Sequence, residues 1–435
     1  VEPSPHDPAK AYVAAAGDKM NDFTPYLFRT NDYGRTWEKI VDGIPGNTFA
    51  RSIREDPDRE GLLYAGTENG LFVSFDDGEQ WQPLQLNLPQ VPITDLRIRQ
   101  QDLVVATQGR SLWILDDLTP LHQISDALAS ADVHLYDPRD PYRLITSGYY
   151  AEGGLGENPP SGMQINYVLG TDVSADVPMA MVILDRAGNV VFGEYAPDDR
   201  PDCEASPRPR RLRRTAGANR WSWDMSVGRF ACIEEITNTS RNLSAYPAAP
   251  GRYTARLTVG DVVQSQDFEI LIDPRLDGIA SDPIAEYQEL DRISASIFAS
   301  AQAMERGVLQ LRRALEQVEF VLGVSDADVV VDQGVTLTET MDGWIEKILQ
   351  EHLKTGQNNY MFEARLLMKY KDFLGRIGGA NIPITAGVRD VTRDYQAEWA
   401  EYEGELQRIL NEDIPAYNRI LRAAGLPEIY LPCLL

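Results

Sequence analysis

The eight residues from 30 to 37 read Thr-Asn-Asp-Tyr-Gly-Arg-Thr-Trp, and the eight from 74 to 81 read Ser-Phe-Asp-Asp-Gly-Glu-Gln-Trp. Both follow the pattern Ser/Thr-x-Asp-x-Gly-x-x-Trp, and Asp32 and Asp76 lie 44 residues apart. A period of this length is typical of β-propeller blades. In such a turn the carboxylate accepts backbone N–H bonds, the glycine adopts a conformation closed to other residues, and the tryptophan packs beneath. We therefore interpret eight residues as structural turn residues and not as catalysts: Thr30, Asp32, Gly34, Trp37, Ser74, Asp76, Gly78 and Trp81.

The sequence before the two turns repeats as well. Each turn is preceded by an apolar, β-rich stretch, at 11–14 and at 62–66, and each stretch follows an Asp-Pro pair. A third, degenerate copy runs from Leu103 to Asp117 without the following glycine and tryptophan. Apolar stretches bounded by turn residues predict antiparallel strands. Residues 1–120 are therefore predicted to form the terminal blades of a β-propeller.

These motifs resemble the Asp-box, or bacterial neuraminidase (BNR) repeat, of sialidases, xyloglucan-degrading hydrolases and the luminal propeller of sortilin. Segments 25–37, 70–78 and 109–118 are more closely similar to the closing blades of large bacterial exported proteins described as sortilin-like or glycosyl-hydrolase-like. The resemblance implies that this chain is the C-terminal portion of such a protein. It also implies a periplasmic or extracellular location.

The predicted blades are too few to close a propeller. An open set leaves strand edges unpaired and apolar sheet faces in contact with water. We therefore expect upstream propeller blades as partners, either in the same polypeptide or in another chain. The first arrangement is favoured because Val1 falls at the start of a blade and not at a domain boundary.

The remaining sequence changes its period twice. Residues 121–160 are rich in turn residues and are interpreted as a linker and domain entry. Residues 161–275 alternate as short strands, which predicts an immunoglobulin-like β-sandwich; Trp221 and Trp223 share one face, as core residues rather than as a sugar platform. Residues 276–435 follow a helical period and predict an α-helical bundle. The predicted fold class is thus multidomain: incomplete β-propeller blades, an immunoglobulin-like β-sandwich and an α-helical bundle.

The helical region has recognisable boundaries. Ser281 or Asp282 is the expected cap of a long first helix, and Gly323 is its expected stop. Two shorter helices are predicted at about 338–355 and about 358–376 from their apolar spacing.

Charge excludes several classes of function. The chain has 66 Asp and Glu against 41 Lys and Arg, which gives a net charge of −25. Phosphate backbones and anionic membrane surfaces repel such a molecule, so nucleic acid is not an expected partner. No apolar run approaches the roughly 18 to 20 residues that a membrane-spanning helix needs. The expected partners are therefore further blades and a protein or peptide ligand, without a direct membrane span.

Three cysteines and one arginine-rich run are candidate sites. Cys203 and Cys232 could close a disulfide loop of about 30 residues, worth about 3 kcal/mol by loop entropy, in an oxidising compartment. Three free thiols, Cys433 included, are the equal alternative. The arginine-rich run could dock a carboxylate-rich or phosphate-bearing partner, although a solvated loop that offsets nearby acidic surface is favoured. This candidate patch for an anionic partner consists of Arg208, Arg210, Arg211, Arg213 and Arg214.

No motif predicts catalysis. The four histidines are scattered without metal-ligand spacing, so no metal site is expected. Residues 153–160 are glycine-rich but lack the G-x-G-x-x-G arrangement after a strand, so no cofactor is expected. A nucleophile elbow and a phosphate-binding loop are also missing from the sequence. The leading hypothesis is a non-catalytic binding or scaffold part of an exported sortilin-like propeller protein. The alternatives are the C-terminal part of a glycoside hydrolase whose catalytic residues lie in upstream blades, and an accessory subunit of a larger extracytoplasmic complex.

Overall fold

The computed structural model describes residues 1–125, 128, 130–144, 162–196, 212–230, 244–350, 362–378 and 382–431. The chain divides into two compact units. The first unit contains residues 1–139 and 166–170, and the second contains residues 140–165 and 171–435.

Three antiparallel sheets follow one another along the first unit. The first sheet contains β1 (Glu2–Pro3), β2 (Ala11–Gly17), β3 (Asp22–Thr30) and β4 (Glu38–Lys39). The second sheet contains β5 (Ala50–Glu55), β6 (Leu63–Thr67), β7 (Gly70–Ser74) and β8 (Gln82–Pro83), and the third contains β9 (Ile93–Arg99), β10 (Asp102–Thr107) and β11 (Leu112–Leu115). Within each sheet the strands pair in chain order. A short helix α1 (Thr119–Gln123) follows, and β12 (Val133–Leu135) pairs antiparallel with residues 167–169.

Two apolar layers hold the three sheets together. The layer between the first and second sheets includes Tyr12, Leu27, Ile53, Leu63, Ala65, Phe72 and Trp81. The layer between the second and third sheets includes Leu62, Tyr64, Leu71, Val73, Ile93, Leu96, Leu103 and Val105. The second sheet is therefore covered on both faces, which explains why every residue of β6 and β7 is buried.

The second unit begins with β-structure. Its strands are β13 (Tyr142–Arg143), β14 (Met163–Leu169, which continues into the first unit), β15 (Met179–Asp185), β16 (Val190–Ala196), β17 (Gly217–Trp223), β18 (Ser226–Arg229), β19 (Ser244–Pro247), β20 (Gly251–Val259) and β21 (Val262–Ile272). Five of them form a sheet in the order β13-β21-β20-β15-β16, in which only β13 pairs in parallel.

A layer of aromatic rings packs β17 against this sheet. Trp221 and Trp223 are both buried, and the ring of Trp223 lies 6.0 Å from Tyr253 and 6.2 Å from Phe268. Phe192 contacts both tryptophans at centroid distances of 6.0 and 6.3 Å. The prediction that this pair belongs to the core is confirmed, and neither ring is available as a sugar platform.

The rest of the second unit is helical. The helices are α2 (Pro283–Val324), α3 (Asp328–Ile348), α4 (Leu366–Gly378), α5 (Ala386–Arg408) and α6 (Ile414–Ala423), with one π-helical turn at Ile409–Asp413. The carboxylate of Asp282 accepts the N–H of Ala285 at 3.0 Å, so the predicted start of α2 is confirmed. None of the described helices is long and apolar enough to cross a membrane.

The predicted start of α3 was wrong by ten residues. The helix begins at Asp328 and not near 338, through a sequence rich in valine and threonine that lowers helix propensity. Gly334 breaks the apolar spacing, yet a Cβ there would lie 2.6 Å from the hydroxyl of Tyr417. Close packing against a neighbouring helix therefore determines this helical turn, and local sequence preference does not.

Candidate functional site: the outer faces of the sheet stack

The second sheet shows which positions bind a neighbouring sheet. On β6 and β7, Ala65 lies opposite Phe72, and Tyr64 lies opposite Val73. Ala65 and Phe72 contact the first sheet, whereas Tyr64 and Val73 contact the third. Because side chains alternate between the two faces of a strand, each sheet of the repeat has one set of positions for each neighbour.

The third sheet repeats these positions, but its outer face is exposed. Trp113 packs into the layer shared with the second sheet, so its neighbours on β11, Leu112 and Ile114, face away from that layer. By the register of the strand pairs, Leu112 and Ile114 occupy the positions on β11 that Leu71 and Val73 occupy on β7. Leu112 is 68% exposed and Ile114 is 56% exposed, whereas Leu71 and Val73 are 3% and 2% exposed. We call Leu112 and Ile114 the third outer face.

The first sheet has a matching outer face. Val13 lies opposite Phe28, in the register that Ala65 and Phe72 have in the second sheet. The rings of Tyr26 and Phe28 are parallel within 6°, with centroids 6.2 Å apart. Val13, Tyr26 and Phe28 therefore form an apolar surface, which we call the first outer face. Both ends of the stack present apolar side chains at positions that the middle sheet buries.

The turn at 30–37 is held together by hydrogen bonds to its own hydroxyl and carboxylate groups. The hydroxyl of Thr30 accepts the N–H of Gly34 at 2.9 Å and donates to Asp32 at 2.9 Å. The same carboxylate oxygen accepts the N–H groups of Arg35 and Thr36 at 2.8 and 2.9 Å. Hydrogen bonds from Thr36 lower the pKa of the Asp32 carboxyl. Gly34 has a φ of +81°, which explains the glycine in the pattern.

The second turn repeats this geometry. The hydroxyl of Ser74 accepts the N–H of Gly78 at 2.9 Å and donates to Asp76 at 2.7 Å. Asp76 in turn accepts the N–H of Gln80 at 2.9 Å. All described hydrogen bonds of these two aspartate side chains lie within their own turns, so the two carboxylates fix backbone.

The two tryptophans of the pattern differ in burial. Trp81 is 4% exposed, and its indole N–H donates at 3.0 Å to the carbonyl of Ile40, which follows the first sheet. Trp37 is 44% exposed, and its indole N–H reaches only the carbonyl of Gly34 in its own turn, at 3.2 Å. The expected packing beneath the turn therefore occurs for Trp81 alone. Trp37 lacks, within the described residues, the preceding sheet that Trp81 uses.

A buried polar cluster joins the first two sheets around Asp77. Its carboxylate accepts the hydroxyl of Tyr12 at 2.5 Å and the ammonium of Lys10 at 3.0 Å, and its carbonyl accepts a guanidinium N–H of Arg29 at 2.8 Å. Burial, followed by the bond to Asp77, strongly raises the pKa of the Tyr12 hydroxyl. Tyr12 is completely inaccessible to solvent, and the Asp77 side chain is 25% exposed. Its role is to join two sheets.

A second polar cluster surrounds Asp56 and corrects the expectation that the histidines are scattered. The ring of His122 lies 3.0 Å from the Asp56 carboxylate, and the ring of His6 lies 2.8 Å from the Asp56 carbonyl. Tyr64 donates to the same carboxylate at 3.1 Å, and the N–H of Asp58 donates at 2.9 Å. The chain positions of the two histidines, 116 residues apart, gave no signal of this arrangement.

The Asp56 cluster also contains the donor atoms that could hold a metal ion among the described residues. One ligand atom each of Asp56, Asp58 and His122 lies within 4.8 Å of the others. Both oxygens of the Asp56 carboxylate already accept protein hydrogen bonds. A metal would therefore have to displace the imidazole from its bond with Asp56. Although burial opposes ionisation, hydrogen bonds led by the one from His122 lower the pKa of Asp56, which is the behaviour of a structural pair.

Among the described residues of the second unit, Arg143 is a buried cation. Arg143 donates at 2.8 Å to the carbonyl of Ala248, and its guanidinium lies 4.7 Å from the ring centroid of Tyr287. Burial lowers its pKa and also raises the pKa of Asp291 on α2. Arg143 thus fixes the segment before β20 against α2.

The other predicted site residues fall largely outside the described part of the chain. Arg214 is described, and its guanidinium donates to the carbonyls of Ser174 and Val177 at 2.5 and 3.0 Å. Arg213 is exposed. The predictions for Cys203, Cys232, Cys433, Arg208, Arg210 and Arg211 concern residues outside the described ranges.

No family model and no curated protein matches the chain. Among solved structures, YCF48 bound to a D1 peptide aligns at 22% identity over 21% of this chain and 31% of that chain, with a TM-score of 0.17. The extracellular domain of a putative hybrid two-component system from B. thetaiotaomicron aligns at 12% identity over 58% and 29%, with a TM-score of 0.18. An ancestral GH74 enzyme aligns at 10% identity over 62% and 50%, with a TM-score of 0.21.

The chain spans between 29% and 50% of the length of these three proteins. The TM-scores are too low to establish a common overall fold. The architecture and the candidate surfaces therefore rest on the geometry of this chain alone.

Proposed function

We propose that this chain is a non-catalytic binding and scaffold part of an exported, sortilin-like β-propeller protein that presents surfaces to protein or peptide partners. In this proposal the turns at 30–37 and 74–81 are Asp-box turns of the BNR type, and the three sheets are consecutive blades. The second unit supplies an immunoglobulin-like sandwich and a helical bundle. The observation that carries the proposal is the matched set of positions, which are buried on the middle sheet, exposed on the third sheet and half-buried on the first.

Further blades would cover the two outer faces. Leu112 and Ile114 expose apolar surface at positions where Leu71 and Val73 gain the free energy of burial, so a sheet of the same repeat fits there. On the first sheet, Phe28 is half-buried and Trp37 is 44% exposed, where Phe72 and Trp81 of the second sheet are 6% and 4% exposed. These blades belong either to the same polypeptide or to another chain.

The hydrogen bonds within the Asp77 cluster, the Asp56 cluster and the two turns support the non-catalytic part of the proposal. Tyr12 and Tyr64 have strongly raised pKa values because they are buried and donate to carboxylates. Asp32 and Asp76 hold backbone turns. A general acid or base must reach a proton of a bound substrate, and these buried or turn-bound groups are not placed to do so.

The test uses the protein purified without denaturation from its natural source. We expect a native mass above the 48.6 kDa of this chain and no release of reducing sugar from xyloglucan or sialyllactose. Release of sugar would refute the non-catalytic role and favour a glycoside hydrolase with catalytic residues in upstream blades. A native mass of 48.6 kDa would contradict the coverage by further blades.

Two smaller parts of the proposal have separate tests. Export is proposed from the resemblance of the repeats and from a possible bridge between Cys203 and Cys232, and complete alkylation of all three thiols without reductant would contradict that bridge. The arginine-rich run, with Arg213 and Arg214 at its end, is proposed to dock an anionic partner. Unchanged binding of a polyglutamate peptide after Arg213→Gln would count against that role for Arg213.

A further inference from the structure

The helical hairpin formed by α2 and α3 ends in an exposed apolar patch. Phe320 and Val324 occupy positions i and i+4 at the end of α2 and are 62% and 58% exposed. Gln317 lies one turn earlier on this face. Its side-chain amide donates to the Tyr430 carbonyl at 2.9 Å and accepts the Tyr430 N–H at 2.8 Å, which places that 71% exposed tyrosine beside the patch.

Carboxylates surround this patch, and the nearest preceding cations on α2 are Arg312 and Arg313. The segment from 314 to 335 contains five carboxylates and no Lys, Arg or His. All five are exposed, and no ion pair joins any of them to another described residue. They are Glu316, Glu319, Asp326, Asp328 and Asp332. We call this region, with Phe320, Val324 and Tyr430, the acidic tip.

Several other carboxylates of the helical region have cationic partners. Glu289 binds Arg389 at 2.7 Å, Glu405 binds Lys347 at 2.7 Å, and Glu428 binds Arg422 at 2.8 Å. The acidic tip differs from these ion-paired sites because it combines exposed apolar side chains with carboxylates that have no ion pair to another described residue. Interfaces of transient complexes have this arrangement, an apolar centre within a polar rim.

We infer that the acidic tip docks a cationic amphipathic segment of a partner protein, with an apolar stripe on Phe320 and Val324 and flanking Lys or Arg side chains on the carboxylates. A partner that covers the patch explains why apolar side chains are exposed there. The surrounding carboxylates require that this partner carry positive charge. An anionic membrane or a polyanion would be repelled by the same carboxylates. This inference does not depend on the number or position of propeller blades.

The experiment uses the full chain and two synthetic peptides. The probe is a Leu/Lys amphipathic helix of about 18 residues, five helical turns, and its twin replaces every Lys by Glu. Binding is measured by fluorescence anisotropy at low and at physiological salt. The Leu/Lys peptide is expected to bind, with an affinity that falls as salt rises, and the Leu/Glu peptide is expected not to bind.

Three variants separate the apolar contact from charge attraction. Phe320→Ser with Val324→Ser keeps every charge and is expected to weaken binding about tenfold or more, since apolar anchors dominate such interfaces. Asp326→Asn with Asp328→Asn is expected to weaken binding and to flatten its salt dependence. Ile284→Ser removes an equally exposed apolar side chain, 57% exposed, at the other end of α2 and is expected to leave binding unchanged.

The outcomes that overturn the inference are specific. Wild-type affinity in the Phe320→Ser and Val324→Ser double variant would show attraction to net charge alone. Equal loss of binding in Ile284→Ser would show that the helix as a whole, and not its tip, attracts the peptide. A benzophenone on the apolar face of the peptide should crosslink to residues 313–335 or to Tyr430, and crosslinks elsewhere would refute the site.

Discussion

A matched pair of substitutions tests whether the third sheet leaves exposed a position that the second sheet buries. Leu71 and Leu112 stand at the same position of consecutive sheets, on β7 and β11. Leu71 is 3% exposed and Leu112 is 68% exposed. If the two positions are equivalent, Leu71→Ala and Leu112→Ala remove the same atoms from opposite environments.

The expected costs differ by several-fold. Leu71→Ala removes a fully packed side chain and leaves a cavity between two sheets, which costs about 2–4 kcal/mol. Leu112→Ala removes a side chain that already keeps about two thirds of its surface in water and leaves no cavity, which costs less than about 1 kcal/mol. Ser111 precedes Leu112 with a φ of +63°, and neither substitution alters that backbone.

Hydrogen exchange read by mass spectrometry is the suitable assay because a chain of two units need not unfold in one step. Peptides covering 62–75 report on the second sheet, and peptides covering 102–116 report on the third. Leu71→Ala should increase exchange in the first set, and Leu112→Ala should change neither set. An equal loss of protection in both variants would show that the third outer face is covered in the isolated chain, and the exposure of Leu112 would then be refuted.

Three further predictions concern single side chains. Tyr12→Phe removes the bond to Asp77 at the junction of the first two sheets and is expected to lower the free energy of unfolding by about 1–2 kcal/mol in urea titrations; an unchanged midpoint would contradict that role. Gly78→Ala places a Cβ 2.6 Å from the δ-carbon of Ile40 at a φ of +94° and is expected to cost at least about 1 kcal/mol in the same titration; wild-type stability would contradict the packing. Asp56→Asn should destabilise the chain at pH 7, and this cost should shrink as the pH falls below 3.8, because the pKa of Asp56 is lowered in the folded chain. The stabilisation by that carboxylate is present above the unfolded pKa and is lost as the pH falls through the folded pKa; a cost that does not shrink as the pH falls below 3.8 would show that Asp56 ionisation does not contribute.

Local sequence patterns predict several features of both units. The pattern at 30–37 and 74–81 specifies hydrogen bonds that close within five residues, so the turn can be inferred without knowledge of the rest of the chain. The core position of Trp221 and Trp223 follows from their alternation on one strand. The start of α2 follows from Asp282 and Pro283 for the same local reason.

Contacts between distant segments explain what the sequence could not predict. Asp56 and His122 meet across 66 residues, and no spacing rule connects them. The helix from Asp328 depends on Gly334 fitting against Tyr417, a contact across 83 residues. The different burial of Trp37 and Trp81 likewise depends on which sheet precedes each turn, so an identical motif produces two environments.

The central claim is that further sheets cover the outer faces of the stack, and hydroxyl-radical footprinting of the protein from its natural source tests it most directly. Oxidation of Leu112 and Ile114 is compared between that protein and the isolated 435-residue chain, with Leu71 and Val73 as buried references. We predict strong oxidation of Leu112 and Ile114 in the isolated chain and protection in the native protein, while the references stay protected in both. Equal oxidation of Leu112 and Ile114 in the two samples would contradict the claim.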